Sequence, residues 1–170
     1  MSINLDALRM GYFILYRNEG GLFGNLIEKQ QKKKGSTPED AKYTHIEVSG
    51  GGQWSVNVSP PKAKVVDITK VHKGRHIKVV RFKNDTYDKK GRYKVAFWAA
   101  SNCNLGYDWF GILRFKLKFM FHQKRMFFCS ENALWALQKE FPGALGMKPE
   151  KCMPSRFLRD EFELVWEGEI

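Results

Sequence analysis

Apolar residues in this chain fall into short runs separated by glycine, proline and polar clusters, not into one long periodic stretch. Residues 11–16, opening at Gly11, form a continuous apolar run and predict a buried strand. A short helix is expected over residues 25–30, and the polar residues 31–40, with three consecutive lysines, read as a loop. Residues 43–48 read as a strand, 49–53 as a glycine-rich turn, and 54–58 as a second strand with strict alternation, so a hairpin is expected. Residues 64–68, 76–82 and 162–166 read as further strands. Residues 86–102 read as a helix, 107–113 as the start of another apolar helical stretch, and the segment from about residue 130 to Pro142 as a last helix. Strands and helices are segregated more than alternated, which predicts an α+β fold.

The 170 residues are expected to form one domain, residues 1–170, large enough to fold without a disulfide or a metal. Three cysteines at wide spacing, Cys103, Cys129 and Cys152, contain no CxxC pair, so neither a zinc knuckle nor a thioredoxin-like site is indicated. No metal or cofactor is expected. The first residues lack the basic start and apolar run of a signal peptide, and no apolar stretch is long enough for a membrane helix. A cytoplasmic protein without an integral membrane segment is therefore expected, and a phage-derived lytic or virion protein fits the same features. The net charge of +11 points to an anionic partner: nucleic acid, an acidic membrane face or an acidic wall polymer.

Cys129 sits where an apolar run turns into a helix. At a helix start the dipole favours a negative sulfur, and free backbone N–H groups are placed to hold a developing oxyanion. Ser130 is a candidate helix cap and Glu131 an acidic first-turn residue. Cys103 and Cys152 lack that context and read as packing residues. His45 lies on the first hairpin strand, with Glu47 on the same face; on the second strand Ser55 and Asn57 share one face. The hairpin is thus expected to set Asn57 beside His45, where an amide or carboxylate fixes the imidazole's tautomer. His72, His76 and His122 lie in basic, polar surroundings and read as surface residues.

In this order the pieces resemble the permuted papain-like hydrolases of the YaeF/YiiX group, relatives of the NlpC-type cell-wall peptidases. Residues 11–15 look like the opening strand, residues 43–48 like the histidine strand, residues 107–111 like the Tyr-Asp-x-x-Gly segment, and residues 127–131 like the Phe-Cys-Ser-Glu nucleophile motif. The resemblance implies a circularly permuted papain-like (NlpC-like) fold with an antiparallel sheet packed against helices. It implies a cysteine peptidase or amidase, acting on a peptide, peptidoglycan or other acyl substrate, with Cys129 as nucleophile, His45 as base, Asn57 as orienting residue and Tyr107 as an active-site wall or hydrogen-bond donor. The sequence departs from the pattern at Tyr12 and at Glu47, each replacing a residue usual in the group. Glu47 is therefore an alternative orienter, or a group that rejects acidic substrates.

A second reading is a non-catalytic basic module. Residues 112–125 interleave Arg114, Lys116, Lys118, Lys124 and Arg125 with Leu113, Phe115, Leu117, Phe119 and Phe121. Such a face suits phosphates, single-stranded nucleic acid or an anionic membrane or wall surface.

Overall fold

The computed structural model describes residues 4–108 and 126–170. Eight strands lie in one sheet: β1 (Phe13–Arg17), β2 (Tyr43–Gly51), β3 (Trp54–Ser59), β4 (Lys62–Asp67), β5 (His76–Phe82), β6 (Gly106–Tyr107), β7 (Met126–Phe127) and β8 (Phe162–Glu169). Their order is β7-β6-β4-β3-β2-β1-β5-β8. Neighbours pair antiparallel except β6 and β7, which run parallel, so the sheet is mixed where a wholly antiparallel one was expected. Among the described residues the α-helices are α1 (Leu22–Lys33), the single turn α2 (Ile68–Val71), α3 (Lys89–Ser101) and α4 (Cys129–Glu140). The α+β class expected from the sequence is the observed one.

The expected hairpin forms as β2 and β3. Gly51 pairs with Trp54, and both Gly51 and Gly52 take positive φ, which glycine adopts without steric cost. β3 and β2 occupy the middle of the sheet, and β2 is buried along nearly its whole length from Tyr43 to Ser49. One face of this central region is apolar, carrying Ile46, Val48 and, from β3, Val56 and Val58. α3 and α4 pack on each other and across β2 and β3. Leu134 and Leu137 of α4 are fully buried there, each stabilising by about 1.5–3 kcal/mol relative to exposure.

Two expectations about elements are corrected. α1 runs to Lys33, into the stretch read as a loop. Gln31 turns inward, donating to the carbonyls of Ala41 (2.8 Å) and Tyr43 (3.0 Å), while Lys32 and Lys33 complement the helix dipole at its C-terminal end. Gly106 and Tyr107 are not the start of a helix but a short strand, because Tyr107 pairs with Phe127 in parallel register. The rest of the expected helical stretch and the basic residues 112–125 lie outside the described residues. Among the described residues no helix is long and apolar enough to cross a membrane.

Candidate active site

The site is built on the polar face of β2. His45 and Glu47 are two residues apart and so share that face. Tyr16 of β1 lies directly across from His45 in the register. From β3, Ser55 pairs with Ser49 and so faces the same side.

These side chains converge on the Glu47 carboxylate, which is fully buried. Its Oε1 meets Nε2 of His45 at 3.2 Å and Nε2 of His72 at 2.7 Å. Its Oε2 accepts from the Tyr16 hydroxyl at 3.1 Å and from the Ser55 hydroxyl. A carboxylate has about four lone-pair positions, and four donors fill them. Burial by itself disfavours the charge. The hydrogen bonds and positive charges offered by His45 and His72 outweigh it and hold Glu47 at about 2, below its ordinary 4.5.

α4 supplies the sulfur. Cys129 is its first residue, following the extended Phe128. The Glu131 carboxylate reaches back to the Phe128 N–H at 3.4 Å, which satisfies one of the donors that a helix start leaves open. The Cys129 sulfur lies near enough to the His45 imidazole to act on its charge. Burial alone would drive His45 toward neutrality. The negative charge and hydrogen bond of Cys129, followed by those of Glu47, outweigh burial and push His45 up to about 10 from 6.5. The His45 side chain keeps 19% of its exposure while Glu47 keeps none, so solvent meets the site at the imidazole and not at the carboxylate.

Tyr107 is carried to the same place by the β6–β7 pairing, one residue upstream of the Phe128–Cys129 step. Burial, then the charges of Cys129 and Asp108, raise its phenol well above the ordinary value. The other thiols differ. Cys152 is fully buried, and burial pushes its thiol up; Cys103 is shifted in the same direction by burial.

Three expectations about side chains change. Asn57 does not orient His45. The Val48–Val56 pairing, carried on by one residue, sets Asn57 level with Glu47 and a step short of the imidazole. Its Nδ2 instead lies 3.3 Å from Nε2 of His72, and its Oδ1 is buried with no hydrogen-bond partner among the described residues. Because that His72 nitrogen donates to Glu47, turning the Asn57 amide over lets Oδ1 accept from the same N–H. His72 is not a surface residue: it is 8% exposed, and its ring centre lies 4.4 Å from that of Tyr16, tilted by 47°. Ser130 is not the cap of α4; it is buried and donates to the Cys152 carbonyl at 2.9 Å, tying the helix start to the chain that follows it.

Sequence reasoning missed Tyr16 and His72 as members of this cluster. His72 carried one usable signal: it lies four residues after the buried Ile68 and closes the turn of α2, its N–H donating to the Ile68 carbonyl at 2.8 Å, so the two share a face. Tyr16 was hidden at the end of an apolar run. No group of three or more His, Cys, Asp or Glu among the described residues is arranged to hold a metal ion.

Compared with known proteins, the chain matches no family model and no curated protein.

Proposed function

We propose that this protein is a cysteine hydrolase with the permuted papain-like arrangement, in which Cys129 is the nucleophile, His45 the acid–base group and Glu47 the orienting carboxylate. One observation carries the reading. The His45 imidazole meets a buried carboxylate filled by four donors, and it feels the charge of a sulfur at a helix start. A sulfur, an imidazole and an orienting acceptor in that order are the parts of a nucleophilic triad.

In this reading His45 takes the Cys129 proton and becomes imidazolium. The sulfur attacks an acyl carbon and a C–S bond forms. The resulting oxyanion is held by backbone N–H groups at the start of α4, with Tyr107 as the adjacent wall. His45 gives its proton to the leaving nitrogen as the C–N bond breaks. Neutral His45 then takes a proton from water, whose oxygen attacks the thioester; the C–S bond breaks and the thiolate returns beside a protonated His45. Glu47 stays ionised throughout and keeps the ring in place. A peptide or peptidoglycan amide is the first substrate class to test, with esters and thioesters open to the same chemistry. The net charge of +11 favours an anionic substrate or surface.

The test is alkylation by iodoacetamide across pH, with peptide mapping of the three thiols. Cys129 is expected to be the thiol that reacts first in the native protein, and Cys152 only after unfolding. Cys129→Ala removes the fast reaction. Preferential labelling of Cys103 or Cys152 in the native protein would sink the assignment.

A further inference from the structure

We propose that a second site, a cavity of about 420 Å³ between the end of α1 and the chain after α4, binds a phosphate group attached to an apolar body. The site is distinct from the thiol chemistry, and its test does not depend on the hydrolase reading. Four cations line it: Lys34, Lys151, Arg156 and Arg159. No carboxylate lines it among the described residues. Leu145, Met147 and Met153 supply apolar wall between the charges. Cations alone are a common surface feature on a chain this basic; cations gathered around apolar wall inside a concavity match a ligand with both characters.

The walls are built and not merely adjacent. Ser155 is buried, its N–H donates to Gln31 Oε1 at 2.8 Å, and its hydroxyl lies 2.8 Å from that of Ser36. Arg159 donates to the Gly35 carbonyl at 3.3 Å, and Arg156 meets Glu161 at 3.2 Å. Each guanidinium has five N–H donors, so these contacts aim it while leaving donors for a ligand. Lys151 makes no ion pair among the described residues. Burial, and then the charge of Lys151, lowers the Lys34 ammonium, so like charges face each other across the cavity and an anion there relieves them. Four cations match a dianionic phosphate better than a singly charged carboxylate.

The experiment is calorimetric titration of the whole chain at low salt with phenyl phosphate, inorganic phosphate, phenylacetate and benzyl alcohol, repeated on Cys129→Ala. Phenyl phosphate is expected to bind more tightly than the other three, and equally well to Cys129→Ala. Lys34→Gln and Lys151→Gln, both at exposed positions that leave the arginine contacts intact, are each expected to weaken it about tenfold, in line with a lost hydrogen bond to a charged group. Unchanged binding in the double variant, or no binding of phenyl phosphate at all, overturns the site. Inorganic phosphate binding as tightly as phenyl phosphate overturns the apolar half of the ligand. Phenylacetate binding as tightly overturns the assignment to phosphate.

Discussion

Glu47→Gln is the substitution that separates the two candidate orienting residues. The carboxylate sits in a cage of donors: Nε2 of His45 at 3.2 Å, Nε2 of His72 at 2.7 Å, the Tyr16 hydroxyl at 3.1 Å and the Ser55 hydroxyl. An amide offers one acceptor oxygen in place of two. Its best compromise keeps the oxygen toward the two imidazoles and turns the NH₂ toward the hydroxyls, which can accept as well as donate. Geometry is then largely kept and the negative charge is lost. Removing one partner from a buried charged cluster costs about 3 kcal/mol or more, which for a chain of this size lowers Tm by about 6–12 °C. His45 loses the part of its upward shift that Glu47 supplies, while the part supplied by Cys129 remains.

The readout is the rate of Cys129 alkylation at pH 6.5, which needs no knowledge of the substrate. An ordinary thiol is only about 1% thiolate there, so complete loss of activation slows the reaction by about 100-fold. Glu47→Gln is expected to slow it by about tenfold or more, within that ceiling. Asn57→Ala, which touches His72 and not His45, is expected to leave the rate within about threefold, a difference of under 1 kcal/mol. Glu47→Asp serves if the amide variant does not fold: it keeps the charge, falls short of some donors, and is expected to lie between. A wild-type rate in Glu47→Gln beside a large loss in Asn57→Ala would refute the assignment of Glu47.

Stability should also depend on pH in a defined window. His45 is raised from 6.5 to about 10, so its contribution is complete below 6.5 and is lost as pH rises through 10. Glu47 is lowered from 4.5 to about 2, so its contribution is complete above 4.5 and is lost as pH falls through 2. Urea midpoints are expected to be highest between these limits, and the alkaline decline should shrink in Cys129→Ala, where His45 no longer faces a sulfur. Gly11→Ala places a side chain at φ +83° against the Arg92 carbonyl and beside the carbonyl that accepts from Tyr87. Strain and clash together are expected to cost about 2–4 kcal/mol in urea unfolding. Gln31→Leu abandons the carbonyls of Ala41 and Tyr43 and the N–H of Ser155, at a cost of about 3 kcal/mol at roughly 1 kcal/mol each, seen as a lower thermal midpoint.

The sequence alone determined what depends on neighbours a few residues apart. The alternation in residues 54–58 and the glycines after Val48 specify the hairpin, since period two and positive φ are local properties. The change from the apolar run before Cys129 to the helix after it marked a sulfur at a helix start for the same reason. That His45 and Glu47 share one face was legible as well. Which polar residue meets His45 was not legible, because it turns on the strand register that sets Asn57 level with Glu47. The place of His72 was not legible either: the α2 turn, capped by Asp67 accepting from Thr69 N at 3.1 Å, carries it back over the sheet. Both are contacts across the sheet, decided by how distant segments pack, and a buried carboxylate takes whichever donors that packing delivers to it.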